Sequence, residues 1–402
     1  MKRSLYLFSL IGVLVGSHGS AHAQVKVVKA VADKVSIDLS GVKTSAGSGE
    51  VFRKTLASDL VRSGWFSKAK KGKGTVTLLG TAENRGGALR AEVRVYGSRS
   101  QELFLSQVYK GEGTKARLLA HKAADDIVKA IKGVKGIAST HIIMVGTRTQ
   151  KKELYVCDAD GHHLIQLTKD RSVSVKPRWG PKGQKVTYTS YLKGYPDIYL
   201  VDIPSGSRTR LSSEPGLNSG AAISPNGKEV ALVLSKDGNP ELYIKHLASK
   251  RLTRITRTKR AAEASPSWSP EGQKMVYVSD QSGKPQLYVV SRNRGRPQRL
   301  TSRGVENVAP DWGKKGWIAY ACRVGGRYQI CIINPNTREI KQITQGNVDF
   351  EDPSWAPDGR HIVCSRTEHY RSSVYILDTL GDSPIRLFSH VGDWFSPAWS
   401  PN

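Results

Sequence analysis

The chain has 402 residues, which is long enough for two domains that each bury a hydrophobic core. Its 62 Lys and Arg residues outnumber its 34 Asp and Glu residues, so the formal net charge is +28. Because these basic residues are scattered and form no tail or recognisable motif, the charge does not favour nucleic-acid binding; it indicates acidic partners or simply a solubilised surface.

The first 23 residues have the pattern of a secretory signal peptide. Lys2 and Arg3 precede an apolar run over residues 5–15, and Ala21 and Ala23 supply the small side chains of a cleavage site. This run is too short to span a bilayer. No other segment is long and apolar enough either. We therefore predict an exported protein that is not inserted in a membrane, whose mature chain begins at Gln24.

Residues 24–136 are predicted to form a small α/β domain. Apolar stripes indicate helices over residues 50–63 and 115–132, each followed by a glycine that ends it. Alternating or β-branched segments predict strands, which begin near residues 25, 35, 75, 88 and 102. Two helices on one face of a small sheet would bury these stripes. Residues 133–139 are predicted to act as a hinge to the next domain.

Residues 137–402 follow a repeat with a period of about 44 residues. Most copies contain a Pro-x-Trp motif, followed by a Gly-containing turn and three further strand-like segments. Positions equivalent to the Trp recur at intervals of 44, 45, 44, 43 and 44 residues: Trp179, Ile223, Trp268, Trp312, Trp355 and Trp399. Four short antiparallel strands per repeat are typical of a β-propeller blade, and the Trp side chains are predicted to lie in its core.

The count of strands predicts a six-bladed ring. Five copies are complete, whereas the three strands within residues 141–168 lack a Trp strand and residues 395–400 form a Trp strand with nothing after it. Joining these two fragments completes a sixth blade and removes two open sheet edges. The predicted fold class is therefore a two-domain protein, α/β plus all-β, whose propeller is closed by the C-terminal strand.

No motif of an enzyme active site or a phosphate-binding loop is present, so we predict no catalytic, cofactor-binding or metal-binding residues. The segment 158–161 resembles the start of a calcium loop but lacks its final Glu, which favours a hairpin turn. His162 and His163 in that turn are predicted to be solvated, and His121 with Asp125 to form a surface or capping pair on the second helix. The remaining acidic candidates are Asp311, Asp349, Glu351 and Asp352.

The four cysteines are Cys157, Cys322, Cys331 and Cys364, and they lie in predicted strands without C-x-x-C spacing. Buried thiols are the default prediction. A Cys322–Cys331 bridge across one hairpin is the alternative in an oxidising compartment.

Three stretches give the chain a resemblance to a known family: residues 58–66, residues 120–127 leading into 133–136, and the blade motifs up to 397–401. In these stretches it resembles the TolB family, the periplasmic propeller proteins of the Tol–Pal system of Gram-negative envelopes. Even the blade with Ile223 in place of Trp is similar to the family. Blade motifs alone are weakly specific, so the assignment depends on the N-terminal stretches.

The resemblance implies a periplasmic, monomeric, non-catalytic binding protein with a role in outer-membrane integrity and constriction at cell division. It implies that a Pal-like peptidoglycan-associated lipoprotein binds the mouth of the propeller, where blade topology places Leu217, Asn218, Gly220, Lys259, Arg260, Ala264, Asn307, Asp349 and Glu351. It further implies that a TolA-like inner-membrane protein binds the mature N-terminus, which consists of Gln24, Val25, Lys26, Val27, Val28 and Lys29.

Two other classes of function remain as alternatives. One is a propeller-type hydrolase or lyase that acts on envelope glycans or peptides, and the other is a lectin-like surface protein that uses exposed aromatic side chains. A lyase would need His or metal ligands converging on the channel, and a peptidase would normally need an attached hydrolase domain.

Overall fold

A computed structural model describes residues 26–27 and 34–401 of the chain. The predicted signal peptide lies outside the described residues, as do Gln24, Val25, Val28 and Lys29 of the predicted TolA-binding segment. Within the described ranges, no helix combines the length and apolar character that a membrane span requires.

The N-terminal domain is a five-stranded mixed sheet with both helices on one face, as predicted. Its elements are β2 (Val35–Thr44), α1 (Ser48–Arg62), β3 (Phe66–Lys68), β4 (Val76–Arg85), β5 (Ala88–Gly97), β6 (Leu103–Glu112), a 3-10 turn (Gly113–Lys115) and α2 (Ala116–Lys132). The sheet order is β3-β2-β4-β5-β6. Phe52 and Leu56 of α1 and Ile127 of α2 pack with Leu78 in one buried core. The short strand β3 was not predicted.

The N-terminal strand β1 (Lys26–Val27) does not belong to this sheet. It pairs in parallel with β25 (Ile340–Gln342) of the propeller, with Lys26 opposite Lys341 and Val27 opposite Gln342. The prediction that this segment opens a strand is thus confirmed, but its place in the N-terminal domain is wrong. It extends the outer edge of a propeller blade instead.

The rest of the chain forms six four-stranded antiparallel sheets arranged as a propeller. Blade 1 consists of β10 (Ser174–Trp179), β11 (Lys185–Ser190), β12 (Asp197–Asp202) and β13 (Arg208–Ser212). Blade 2 consists of β14 (Asn218–Ile223), β15 (Glu229–Leu234), β16 (Glu241–His246) and β17 (Leu252–Arg254). Blade 3 consists of β18 (Glu263–Trp268), β19 (Lys274–Ser279), β20 (Gln286–Ser291) and β21 (Gln298–Arg299). Blade 4 consists of β22 (Asn307–Trp312), β23 (Ile318–Val324), β24 (Arg327–Ile333) and β25. Blade 5 consists of β26 (Asp349–Trp355), β27 (His361–Glu368), β28 (Arg371–Asp378) and β29 (Ile385–Arg386).

Blade 6 joins the two ends of the propeller sequence and confirms the predicted closure. The C-terminal strand β30 (Trp394–Trp399) pairs with β7 (His141–Gly146), which is followed by β8 (Glu153–Asp158) and β9 (Ile165–Gln166). The indole Nε1 of Trp399 donates a hydrogen bond to Thr140 Oγ1 over 2.7 Å. Closing the ring this way pairs an edge of β7 that would otherwise be open.

The two domains are joined by buried polar contacts in addition to the segment that links them in the chain. Arg360, in the turn between the first two strands of blade 5, binds both carboxylate oxygens of Asp378 at 3.0 Å and donates to the Gly64 carbonyl at 3.0 Å. Its guanidinium also lies 4.2 Å from the ring centre of Trp65. Gly64 has a φ of 69°, and a Cβ there would lie 2.4 Å from Arg360. Glycine is therefore required both to end α1 and to admit Arg360.

The predicted hinge is held in place by Asp125, whose carboxylate accepts backbone hydrogen bonds from Ala138 at 2.8 Å and Ser139 at 2.9 Å. The prediction that His121 and Asp125 form a surface or capping pair with each other is wrong, because the two residues bind different partners. His121 is only 2% exposed and its Nδ1 lies 2.7 Å from Asp59 Oδ2. Both side chains face inward because α2 packs against α1 and the propeller rather than against solvent.

Cys322 and Cys331 form a disulfide between the second and third strands of blade 4, so the default prediction of four buried thiols is wrong for this pair. Cys157 and Cys364 are free and buried, as predicted.

Candidate binding surface of the propeller

The innermost strand of every blade contains a β-bulge at the same position. Each register shift accompanies one residue with positive φ: Lys176, Gly220, Ser265, Ala309, Asp352 and Ser396. In five of the six blades the next residue is proline, which has no N–H that the interrupted ladder would leave unpaired. The six bulge residues together line a single cavity, one from each blade, and therefore mark the central channel.

The channel is narrowed below this ring by an ion pair. Arg178 of blade 1 reaches Asp311 of blade 4, the opposite blade in a six-membered ring, with an N–O distance of 3.1 Å. Asp311 also accepts a 2.7 Å hydrogen bond from the backbone N–H of Trp355. Beyond the pair, the Trp-equivalent side chains of all six blades line a wider chamber. Three of them, Trp268, Trp355 and Trp399, are buried as predicted, whereas Trp179 and Trp312 are half-buried.

One end of the propeller carries the loops that lead into the innermost strands together with the hairpins between the second and third strands of each blade. We call this end the loop face. The two kinds of segment hydrogen-bond to each other, for example Ser235 N–H to the Leu217 carbonyl at 3.1 Å and Arg323 N–H to the Glu306 carbonyl at 2.9 Å. The opposite end, which we call the docked face, contacts the N-terminal domain through blades 5 and 6.

The loop face carries almost all of the large apolar side chains that the propeller exposes. Nine such side chains are exposed among the described propeller residues, and all but Ile165 lie on this face. They are Val173, Tyr191, Leu192, Tyr195, Val305, Val324, Tyr370 and Val391. Tyr370 is 98% exposed and Val391 81%. Aromatic and aliphatic side chains concentrated at one end of a monomer are typical of a protein-binding surface.

The nine residues predicted to bind a Pal-like protein lie at this end but differ in exposure. Lys259 and Arg260 are exposed, whereas Leu217, Gly220, Ala264, Asp349 and Glu351 are half-buried. Asn218 and Asn307 are only 1% exposed and hold loops together within the blades. Asn307, for instance, donates to the Gln286 side chain and to the Arg303 carbonyl at 2.8 and 2.7 Å. The other seven remain the predicted contact residues, since they are at least partly exposed.

Tyr195 and Tyr370, the two most exposed aromatic residues of this face, were not among the residues predicted from the sequence. Each occupies a hairpin between the second and third strands, where glycine and small polar residues are usual. An aromatic residue at such a turn is visible in the sequence and could have indicated an exposed binding residue. Tyr370 has a φ of 63°, which places its side chain at the tip of a tight turn.

The acidic candidates at the channel are mostly engaged in structural contacts. Asp311 binds Arg178, Asp352 accepts a 2.7 Å hydrogen bond from Ser396, and Asp349 binds Arg327 at 3.0 Å. Glu351 differs, because burial and the nearby charges of Asp352 and Asp349 raise its pKa to about 7.

A second carboxyl with a raised pKa lies at the start of the innermost strand of blade 3. Glu263 is 2% exposed. Burial, together with the charges of Glu241 and Asp280, raises its pKa to about 7, although the Ser279 hydroxyl partly offsets this. The loop face therefore contains two carboxyl groups, those of Glu263 and Glu351, whose raised pKa values lie near neutral pH.

Comparisons with known proteins agree with this architecture. The family model for the TolB beta propeller domain matches residues 128–402. A TolB homolog of Chlorobaculum tepidum is 32% identical over 171 residues, which are 42% of this chain and 39% of that protein. The chain thus matches that relative over less than half of its length.

Two further comparisons extend over nearly the whole chain. The Tol-Pal system protein TolB of Gluconobacter oxydans is 28% identical over 411 aligned residues, covering 95% of this chain and 89% of that protein. The crystal structure of TolB from Acinetobacter baumannii superposes with a TM-score of 0.82 at 25% identity and covers 94% of this chain and 99% of that one. The similarity therefore includes the N-terminal domain as well as the propeller.

Proposed function

The chain belongs to the TolB β-propeller family, and from this premise we propose that it is a non-catalytic protein-interaction module of the Tol–Pal system in the periplasm. In this role it binds a Pal-like lipoprotein through the propeller and a TolA-like protein through its N-terminus. Linking these partners contributes to outer-membrane integrity and to constriction during cell division.

The concentration of exposed apolar side chains on the loop face is the observation that carries the first half of this proposal. A partner that covers Tyr370 and Val391 removes from water two of the most exposed apolar side chains among the described residues. Tyrosine also keeps a hydroxyl available at the rim of an interface, which is one reason why it is frequent at binding surfaces.

Charge supports the same surface. Lys259 and Arg260 are exposed in the loop that leads into blade 3. Since the whole chain carries a net charge of +28, an acidic partner would be attracted at long range and oriented by such loops. The Pal-like partner is therefore expected to present an acidic surface toward blade 3.

The position of β1 supports the second half of the proposal. Its backbone adds a fifth strand to blade 4 through a parallel pairing with β25. A two-residue strand at a sheet edge is weakly held, and the same backbone groups are available to another sheet once it is released. A TolA-like protein that captures residues 24–29 as an extended strand would then compete with blade 4.

This competition links the two partners. If a Pal-like protein on the loop face strengthens the pairing between β1 and β25, it weakens binding of the TolA-like protein by the same free energy. Hydrogen exchange of residues 24–34 with and without the Pal-like protein tests this link. Equal protection in both states, together with unchanged affinity for the TolA-like protein, would show that the two sites are independent.

The two binding sites can be tested separately with purified components. We would titrate the mature chain, residues 24–402, with a soluble Pal-like domain and with the C-terminal domain of a TolA-like protein. The double variant Tyr370→Ser/Val391→Ser is expected to lose at least tenfold in affinity for the Pal-like domain and to retain binding of the TolA-like domain. Deletion of residues 24–29 is expected to have the opposite pattern.

Leu118→Ser serves as a matched control, because Leu118 is an exposed apolar residue, 54% exposed, on α2 of the other domain. It should leave both affinities unchanged. The proposal is overturned if neither partner binds, or if the loop-face variant binds the Pal-like domain as tightly as the unmodified chain.

A further inference from the structure

Histidines and aspartates from both domains meet where α1 and α2 contact blade 6. Asp59 comes from α1 and His121 from α2, while Asp158 ends β8 and Asp160 lies in the turn between β8 and β9. His121, Asp59 and Asp160 are 2%, 4% and 8% exposed. Docking of the domains therefore places ionisable groups that are distant in sequence in one poorly solvated cluster.

The ring of His121 has one satisfied and one unsatisfied nitrogen. Nδ1 lies 2.7 Å from Asp59 Oδ2, and since a carboxylate only accepts, Nδ1 carries the hydrogen. Nε2 is buried without a hydrogen-bond partner among the described residues. It faces Asp160 Oδ2 at 3.8 Å and Asp158 Oδ2 at 3.9 Å. These distances exceed those of hydrogen bonds, so Nε2 faces two carboxylates without bonding to either.

Such an arrangement favours a positive charge at this point, either a proton on Nε2 or a cation between the nitrogen and the carboxylates. The carboxylates of Asp59, Asp158 and Asp160 have one guanidinium in ion-pair contact, that of Arg117, which binds Asp160. Arg62 and Asp125 line the same cavity, and their opposite charges offset each other. With neutral imidazoles, the cluster has a surplus of two negative charges. One divalent cation balances this surplus, whereas a single proton on His121 would leave one charge uncompensated in a site of low solvation.

Further imidazoles reach the same carboxylates from the solvent side. His163 Nδ1 lies 2.6 Å from Asp158 Oδ2, and His141 Nε2 lies 3.6 Å from Asp158 Oδ1. The side chain of His163 is 57% exposed and that of His141 48%, so both are free to adjust. The cluster is thus buried on the side of the N-terminal domain and accessible on the side of the propeller turn.

We propose that this cluster is a Zn²⁺ site that joins the two domains. The ligands are His121 Nε2, one oxygen each of Asp158 and Asp160, and His163 Nδ1. For His163 to bind, the ion replaces the 2.6 Å hydrogen bond from Nδ1 to Asp158, and the ring hydrogen lies on Nε2 instead. Zinc bonds to imidazole nitrogen and carboxylate oxygen are roughly 2.0–2.2 Å long, so one ion can lie between Nε2 and either carboxylate. Imidazole and carboxylate donors in a four-coordinate set favour zinc over calcium or magnesium, which prefer oxygen ligands alone.

Asp59 then has a defined role as a positioning residue. By accepting the Nδ1 hydrogen of His121 it fixes the tautomer that leaves Nε2 free for the metal, an arrangement common around zinc-bound histidines. Arg117 can retain its contact with Asp160, because a carboxylate has lone pairs for both a guanidinium and a metal ion. Because the ligands come from α2 and from blade 6, zinc would stabilise the junction of the domains.

The test is zinc binding by the mature chain, residues 24–402, without an affinity tag, since a polyhistidine tag would itself bind metal. After treatment with a chelator, the protein is titrated with zinc sulfate at pH 7.5 by calorimetry and its thermal unfolding is recorded. We expect one zinc ion per chain and an unfolding temperature that rises with zinc.

His163→Asn should weaken zinc binding by about tenfold or more. Asparagine suits this position because His163 has a φ of 52°, a conformation that asparagine tolerates. His369→Asn is the matched control, since His369 is also an exposed histidine with positive φ, at 47°, but lies on the loop face. His121→Asn tests the buried ligand. If that variant fails to fold, the comparison of His163→Asn with His369→Asn tests the proposal.

Absence of saturable zinc binding by the unmodified chain would overturn the proposal and assign the positive charge to a proton on His121. Equal zinc affinity of the His163→Asn and His369→Asn variants would also overturn it. A zinc-dependent rise in unfolding temperature that His163→Asn reduces and His369→Asn leaves intact supports it.

Discussion

The loop face and the docked face of the propeller are built from turns of the same repeat, yet they differ in what covers them. On the loop face, hairpin and loop residues such as Tyr195, Tyr370 and Val391 remain exposed. On the docked face, the turns of blades 5 and 6 contact the N-terminal domain, and Arg360 is 2% exposed. Turns of the same repeat thus leave apolar side chains exposed at one end of the propeller and bury charge within the chain at the other.

This difference shows that departures from the repeat determine what each face does. At the position of Arg360, blades 1, 2 and 3 have Gln184, Lys228 and Gln273, all of which are exposed. Only blade 5 combines the arginine with a facing Asp378 and with Gly64 of the other domain. The repeat supplies equivalent frameworks, and single residues give each framework its contacts.

The largest expected effect comes from breaking the ring that both faces share. Deletion of residues 395–402 removes most of β30 and leaves the edge of β7 open. We expect loss of cooperative unfolding, or aggregation, in thermal and urea melts followed by circular dichroism. Deletion of residues 401–402 alone is the control, because it keeps the backbone hydrogen bond between Ser400 and His141. An unchanged melt after the longer deletion would mean that β30 is not needed for closure.

The next largest effect is expected at the docked face. Arg360→Met leaves the carboxylate of Asp378, which is 8% exposed, without its guanidinium, at a cost of about 3–5 kcal/mol in the free energy of unfolding. Lys228→Met makes the same substitution for a basic residue at the equivalent, exposed turn of blade 2 and should change stability by no more than about 0.5 kcal/mol. Urea denaturation measures both. Similar losses in the two variants would contradict the view that contact with the N-terminal domain sets the turn of blade 5 apart from the equivalent turn of blade 2.

Glu351 predicts a pH dependence that belongs to the loop face. Its pKa is raised from 4.5 to about 7 in the folded chain. Below pH 4.5 the carboxyl is protonated in both states and contributes nothing; between pH 4.5 and 7 it ionises in the unfolded state first, so stability falls as pH rises. We expect Glu351→Gln to reduce this fall by about 1–3 kcal/mol.

The control for this pH profile is Glu271→Gln, at an exposed turn on the docked face. Urea melts at pH 4.5 and 7.5 give the comparison directly. The prediction fails if Glu351→Gln and Glu271→Gln have the same profile as the unmodified chain.

The smallest expected effect is on partner association. Lys259→Glu/Arg260→Glu should weaken binding of an acidic Pal-like domain by about tenfold at low salt, and less as salt screens the charges. Lys182→Glu/Lys228→Glu changes the net charge equally but on exposed turns of the docked face. Surface plasmon resonance at two salt concentrations distinguishes them. Equal weakening by both pairs would indicate a net-charge effect and no specific loop contact.

The two helices of the N-terminal domain and the number of blades were determined by the sequence alone. A period of 44 residues with a turn after each Trp position is a local pattern, and each strand needs only its own β-branched and turn residues to be recognised. The closing strand was predicted by counting the strands of each repeat. The three strands within residues 141–168 lacked a Trp strand, and the Trp strand at residues 395–400 had no further strands after it. Helices α1 and α2 were likewise visible from apolar stripes and glycine stops.

Which side chains are exposed or buried on the two faces was decided by the tertiary structure. The sequence located the loops of the loop face, but the burial of Asn218 and Asn307 depends on hydrogen bonds to other loops, which no local pattern encodes. The pairing of β1 with β25 joins residues more than 300 positions apart. No turn signal relates such segments to each other.

The junction of the domains shows the same limit most clearly. Asp125 and His121 have the spacing of an exposed helical pair, but α2 turns that side toward α1, the linker and blade 6. His121 meets Asp59 and Asp160 only after both domains have folded and docked, since each comes from a different element. Spacing along the chain reports which side chains share a helix face or a turn; which faces then meet, and which charges they bury, is fixed by the packing free energy of the whole fold.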